Sequence, residues 1–421
     1  MNMTRPQKAS SHSSSALHGR SLDRLLAASL AIFAVGNLAL PETSQTLLGV
    51  DYLLLISAVL AMILVLRLKR LLDQRYAWGV VLIILVSTLP GLLMVPPTAY
   101  GTEKSQSIIL LVMVTVAPAC FWDSRTGARL TLIIVSCGSL LFAAFLLIYS
   151  TVTSSGRVSV LSLNPVGAAR MTGIFVVTGL AVVMCSHLRT HLRFAVLAGA
   201  VICAIATLTT GSRGPALSII VALTIVLILT LRSRHVQFKA LAFGLGAVVV
   251  AFIFAFESNM AGISRVLDGG DSGRSGIYSF TLTQALANPE GLGWGGFAGI
   301  AWRWGSLSDR IYPHNLVLEV FVEGGFIALF GFIALLTYAG WHGARSYLRS
   351  KDRVECVALG LYVYALVNAQ FSSDLVGNRL LWVSLGLVLA LSHSSHGSGQ
   401  LSSDHHHLHV GHGVRERTHD A

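Results

Sequence analysis

His314 and a few arginines are the residues in this chain equipped for chemistry. Of fifteen histidines, His12 and His18 lie in a Ser-rich N-terminal segment, His187, His191, His235 and His342 at basic turns or helix ends, and eight from His393 onward in a tail. Only His314 stands apart, after Pro313 at the start of an apolar run. A histidine titrating near neutral pH at a helix mouth suits general-base work on a hydroxyl nucleophile. Capping or packing the helix start is the other role open to it. The arginines are Arg213 at the turn Thr209-Thr210-Gly211-Ser212-Arg213-Gly214, Arg274 in Gly273-Arg274-Ser275-Gly276, and Arg379 near Asp374. A charge at membrane depth is costly, so such residues usually face a cavity and pair with something anionic. Guanidinium groups converging on one cavity would hold a phosphate or pyrophosphate through paired hydrogen bonds. Singly, each suits a lipid headgroup or a salt bridge to Asp268, Asp271, Glu319 or Asp374 equally well.

These residues must be positioned by membrane helices. With 54% apolar residues, 12% charged residues and a mean hydropathy of +0.70, the chain cannot present a water-soluble surface. A first apolar run ends near Leu40 with no small-residue cleavage site behind it, and reads as a spanning helix instead of a removed signal peptide. Further runs at 50–66, 77–95, 107–122, 129–151, 167–187, 193–210, 215–231, 239–257, 314–339, 354–370 and 376–393 are each about long enough to cross roughly 30 Å of hydrocarbon. The expectation is an all-α, polytopic membrane protein of about twelve transmembrane helices, with a long outward loop between the ninth and tenth. The net charge of +11 then reads as an orientation signal and not as a nucleic-acid surface. An even number of spans puts 21 of the 30 basic residues on the side of the two termini and nine on the other, so the positive-inside rule places both termini in the cytoplasm. The chain divides into a cytoplasmic segment 1–24, a membrane domain 25–393 containing the outer loop 258–313, and a His-rich tail 394–421.

Within the loop, Ile277, Phe280, Ala285 and Leu286 space out an amphipathic helix lying on the membrane surface and ending before Pro289. Gly291-Leu292-Gly293-Trp294-Gly295-Gly296 lacks the strand and acidic residue of a nucleotide-binding loop. It predicts a tight, side-chain-free turn that lets backbone approach a bulky ligand or the membrane surface. Trp294, Trp302, Trp304 and Tyr312 are expected at the interface. The five cysteines fall within or at the inner ends of helices and imply neither a disulfide framework nor a metal site. The histidine tract 405–412 reads as a solvated tail with adventitious metal affinity.

Gly211-Ser212-Arg213-Gly214 opening a helix, Gly273-Arg274 before a short helix, Asn288-Pro289-Glu290-Gly291-Leu292-Gly293-Trp294-Gly295, then His314-Asn315 with Glu323 and Gly325 downstream resemble the O-antigen ligase and polymerase superfamily. The resemblance covers roughly Thr207 to Ala390, about the second half of the chain; the first six helices are similar only in hydropathy. It implies a bacterial inner-membrane glycosyltransferase that moves a glycan from an undecaprenyl-pyrophosphate donor to an acceptor hydroxyl at the periplasmic face. In that family the histidine matching His314 activates the acceptor, and arginines matching Arg213 and Arg274 hold the pyrophosphate. Arg379 is added here as a third candidate for the anion, with Asn315 and Glu323 in support. Nine residues of helix, about 13 Å of rise, separate Glu323 from His314. The implied reaction is a single in-line displacement with inversion, the leaving pyrophosphate stabilised by arginine, with no metal and no cofactor. Ala328 stands where the family's helix often carries the second glycine of Gly-x-x-Gly.

The implied partners are the lipid-linked donor, an acceptor that is either lipid A core or a growing glycan, and membrane lipids. A ligase acting on lipid A core, a polymerase of O-antigen or exopolysaccharide, and an oligosaccharyltransferase acting on protein all fit these residues. A non-enzymatic polysaccharide transporter would instead place polar residues near the midplane of two related halves, whereas here they gather at one face.

Overall fold

A computed structural model describes residues 10–39, 46–47, 50–152, 158–160, 163–232, 274–302 and 310–407. Its helices, in chain order, are α1 (Ser10–Ala39), α2 (Tyr52–Leu66), α3 (Leu68–Asp73), α4 (Arg75–Leu93), α5 (Ala99–Val116, extended by a 3-10 turn at Ala117–Cys120), α6 (Ser124–Tyr149), α7 (Pro165–Cys185), α8 (Thr190–Thr209), α9 (Arg213–Arg232), α10 (Arg274–Ala287), α11 (Gly296–Ile300), α12 (Leu316–Ser350), α13 (Arg353–Asn368) and α14 (Arg379–His407). Two antiparallel pairs of two-residue strands, β1 (Thr46–Leu47) with β2 (Val50–Asp51) and β3 (Thr151–Val152) with β4 (Val158–Ser159), tie off loops.

The protein is a helical, multi-pass membrane protein. Seven described helices are long and apolar enough to cross a membrane, α4 to α9 and α12, and α2 and the first half of α14 are shorter apolar helices. Eleven of the twelve apolar runs coincide with helices. The run at 239–257 and the loop up to Gly273 lie outside the described residues. α14 continues as helix to His407, past the expected start of the tail.

The helices begin where short polar side chains can cap them. Thr98, Asp123, Asn164, Asn315 and Asp352 each accept a backbone N–H from the first turn of α5, α6, α7, α12 and α13. Inside the spans, hydroxyls such as Thr88, Thr115 and Thr207 bond the carbonyl four residues back, which removes their polar cost in hydrocarbon. α7 is the most enclosed span, 83% buried over its apolar window, and packs against α6, α8, α9 and α13.

α12 is broken at Gly325, whose φ of 75° and ψ of −171° interrupt the helix. The glycine turn after α10 fills the break. Leu292 and Gly293 donate their amides to the carbonyls of Val322 and Glu323 at 2.9 Å each, and Phe326 donates to Pro289 at 3.0 Å. Backbone groups freed by the kink are thereby satisfied by protein, the condition for irregular backbone at membrane depth. A methyl at Gly293 would lie 1.9 Å from the Met94 carbonyl oxygen, and one at Gly325 would lie 2.5 Å from that of Glu290. The turn is therefore glycine-rich in order to approach α12 and the α4–α5 link, and not a ligand or the membrane surface.

Trp294 corrects its interfacial assignment. It is 1% exposed, wedged between α4 and α12, with its indole N–H donated to the Thr88 carbonyl at 2.8 Å and its amide to Gly91 at 3.1 Å. Trp302, at 67% exposed, is open to the surroundings as expected; Trp304 lies outside the described residues. α10 lays Ile277, Thr281 and Ala285 against α12 and leaves Leu282 and Leu286 exposed, an amphipathic helix docked on the bundle.

Candidate functional site

The site is organised by the link between α13 and α14, residues 369–378, a short non-helical segment that collects polar bonds from α5, α7, α10 and α12 and is pressed by the start of α9. At its start, Leu316 donates its amide to the Ala369 carbonyl at 3.1 Å, and the Asn315 amide group reaches the Gln370 carbonyl at 3.4 Å. Arg274, the first residue of α10, donates to the Phe371 carbonyl at 2.7 Å. The start of α9 presses on the same residue, since a methyl at Gly214 would lie 2.7 Å from the Phe371 Cβ. Further along, Asp374 accepts the Tyr100 hydroxyl at 2.9 Å, and Asn378 accepts the buried Arg170 guanidinium of α7 at 2.8 Å. The link thus brings the beginnings of α9, α10 and α12 together, and with them Arg213, Arg274 and His314.

His314 sits in the left-handed region, φ 58°, between Pro313 and the helix cap Asn315. A non-glycine residue there is uncommon and is held by its surroundings. Its carbonyl accepts the Tyr278 hydroxyl at 3.4 Å, and its ring lies 4.4 Å from that of Tyr312. Burial, helped by the Arg274 guanidinium and opposed by Asp374, pushes the imidazole down to about 4. The ring is therefore neutral at physiological pH, with a lone pair free to accept a proton. Burial, with Asp374 and Glu319 nearby, raises the Tyr312 phenol to about 12 against the opposing pull of Arg170 and Arg274, so this hydroxyl stays protonated beside the imidazole.

Three other sequence candidates are placed differently. Asn315 is a structural cap, its side chain accepting the Leu318 amide at 3.0 Å. Arg379 donates to the Tyr52 hydroxyl at 3.0 Å and stacks over Phe33 at 5.3 Å, tying α14 to α1 and α2. Glu323 does not face His314: its Oε2 meets the Lys104 ammonium at 2.5 Å. Neither Arg274 nor Arg379 has a carboxylate within 4.0 Å among the described residues.

Beneath the link lies a buried ion cluster. Lys104 of α5 contacts Glu319 and Glu323 of α12 at 2.5 Å each, and all three side chains are fully buried. Glu319 also accepts the Leu375 amide at 2.8 Å, which fastens the link from below. The remaining oxygens, Glu319 Oε2 and Glu323 Oε1, have no hydrogen-bond partner among the described residues. The signal for this cluster was present as a lone lysine in an apolar helix and two glutamates one turn apart, on one face of their helix. Arg170 was likewise visible as a charge inside an apolar run. Among the described residues, no three His, Cys, Asp or Glu side chains gather as a metal-ligand set.

Fold and site together define a multi-pass helical membrane protein with a cationic mouth and a neutral histidine set into it. A family model described as O-antigen ligase matches residues 198–333, from within α8 to the middle of α12. The chain is thus similar over this region to the O-antigen ligase and polymerase superfamily, enzymes of lipid-linked glycans. The match contains Arg213, Arg274, His314, Asn315 and Glu323; Lys104, Arg170, Asp374 and Arg379 lie outside it. No curated protein matches the chain.

Proposed function

We propose that the chain is an inverting glycosyltransferase of the bacterial inner membrane, moving a glycan from an undecaprenyl-pyrophosphate donor to an acceptor hydroxyl at the periplasmic face. The observation that carries this reading is that His314, Arg274 and the α9 mouth with Arg213, all inside the O-antigen ligase match, meet at the link 369–378 that follows it. The excess of basic residues on the side of the termini supports an orientation with the termini in the cytoplasm and the link in the periplasm.

In this mechanism the acceptor hydroxyl gives its proton to the neutral His314 imidazole as its oxygen bonds to the anomeric carbon. The bond from that carbon to the pyrophosphate oxygen breaks on the opposite face, and the electron pair leaves with the carrier pyrophosphate. Arg213 and Arg274, at the starts of α9 and α10, supply the positive charge that stabilises the leaving pyrophosphate. Neither step calls for a metal. Donor binding also tunes the base: an anion on Arg274 offsets one of the two causes that keep the imidazole's proton affinity low. His314 then becomes a stronger base when donor is in place. Its acceptor is lipid A core in the reading as a ligase.

Replacing His314 by Ala and following glycan transfer from a lipid-pyrophosphate donor in proteoliposomes tests the assignment. Loss of a general base lowers the rate about 10²–10⁴-fold; undiminished transfer by a folded variant refutes it. Analysis of the product in a deletion strain separates the acceptors. Loss of lipid-A-linked glycan with long carrier-linked chains remaining identifies a ligase, whereas accumulation of single repeats identifies a polymerase.

A further inference from the structure

At the ends of α7 and α13 remote from His314, a furrow of about 290 Å³ opens between α6 and α8, with α7 as its floor. Leu132, Ile133, Phe175, Val182, Val196 and Val357 make its wall. The hydroxyls inside it are already satisfied: Ser136 donates to Thr178 at 2.8 Å, and Thr178 donates to the Ile174 carbonyl at 3.0 Å. The wall therefore offers hydrocarbon contact and no unmet polar demand. Gly179 keeps it open, since a methyl there would come within 3.2 Å of both Phe175 and Val196. The exposed residues Ile133 and Cys137 mark its open side, toward lipid.

The rim has the opposite character. Arg129 and Arg353 line the furrow and are both exposed, and among the described residues neither has a carboxylate within 4.0 Å. Their neighbours Arg125 and Asp352 pair with each other at 3.5 Å instead. Two guanidinium groups with no carboxylate beside them among the described residues, above an apolar slot, match a ligand with a phosphate head and a hydrocarbon tail.

We propose that this furrow binds an anionic phospholipid, with one acyl chain along α7 and the phosphate between Arg129 and Arg353. The site is distinct from the transferase site, because it lies at the opposite ends of the helices that carry Arg170 and Asn368. It does not depend on the glycosyltransferase reading.

The test is native mass spectrometry of the full chain titrated with phosphatidylglycerol or phosphatidylethanolamine. One phosphatidylglycerol per chain should resist delipidation. With each basic residue near the membrane surface contributing about 1 kcal/mol, Arg129→Gln with Arg353→Gln should weaken phosphatidylglycerol roughly thirtyfold. The same pair of changes should weaken phosphatidylethanolamine by a smaller factor, because its ammonium already offsets the phosphate charge that the two guanidinium groups hold. Gly179→Ala, which narrows the slot, should weaken both lipids. Alkylating the exposed Cys137 with a bulky maleimide blocks the furrow in folded wild-type protein and should release the bound lipid, independently of any variant's folding. Equal affinity for the two lipids, or a double variant that binds phosphatidylglycerol like the wild type, overturns the proposal.

Discussion

Lys104 is the residue whose loss should be felt most sharply outside the proposed chemistry. Its ammonium sits 2.5 Å from both Glu319 and Glu323, with all three side chains fully buried. Lys104→Met keeps the length of the side chain and removes the charge, leaving two buried carboxyl groups without their ammonium partner. Breaking a buried pair from one side costs about 3–5 kcal/mol, a large part of the roughly 5–15 kcal/mol that holds a native protein together. Two carboxyl groups share the one ammonium, so Glu323→Gln leaves Lys104 a carboxyl partner in Glu319 and should cost about 1 kcal/mol or less; an amide can still offer an oxygen to Lys104. The charge-free triple variant Lys104→Met, Glu319→Gln, Glu323→Gln should recover much of the loss, as neutral replacements of buried ion clusters do. The assay is thermal unfolding in detergent at one scan rate, because membrane-protein unfolding is commonly irreversible and rate-dependent. At about 2–4 °C per kcal/mol in domains of 150–250 residues and less in a longer chain, Lys104→Met should melt about 5 °C or more below the wild type. Glu319 also holds the Leu375 amide of the link on which Arg274 docks, so the same variant should lose transfer activity beyond its loss of stability. A melting point within about 1 °C of wild type for Lys104→Met, with a larger loss for Glu323→Gln, would refute the charge accounting.

Other expectations follow from the same geometry. With the imidazole of His314 lowered to about 4, kcat/KM should hold steady through the neutral range and fall only as pH drops through about 4, and Arg274→Gln should move that acid limb upward; an unmoved limb removes His314 from the role of base. Because the folded state binds less proton than the unfolded chain between about 4 and the unperturbed value near 6.5, the His314 contribution to stability is complete above that window and lost as pH falls through it. Gly293→Ala, with φ of 80° and a methyl 1.9 Å from the Met94 carbonyl, should lower stability by more than about 1 kcal/mol, read as a lower melting point, and loosen the turn from α12. Arg379→Gln should lower the melting point by cutting the tie to Tyr52 and Phe33 while leaving the KM for donor nearly unchanged; a raised KM with intact stability would return Arg379 to the anion site.

How far these features could be read from sequence depends on which coordinate of a residue is asked for. Hydropathy and the distribution of basic residues specify how deep a residue lies along a helix, and depth alone singled out His314 and put Arg213 and Arg274 at helix mouths. The rotation of each helix about its own axis is set by packing against neighbours, and no local pattern reports it. Depth alone leaves the partners of Glu323 and Arg379 open: rotation sends Glu323 to Lys104, 219 residues earlier in the chain, and Arg379 to Tyr52, 327 residues earlier. Trp294 was lost for a related reason, because a tryptophan in a loop beside a membrane segment reads as interfacial unless the glycines around it are known to press against a neighbouring helix. Those glycines are themselves answered by Gly325, where α12 breaks, so the turn and the break explain each other only as a pair. The consequence for the site is that its chemical groups come from residues legible in sequence, while their alignment comes from the link 369–378, whose own residues carry no motif. A search for motifs would pass over Phe371, yet its carbonyl and side chain are what bring α9 and α10 to the same point.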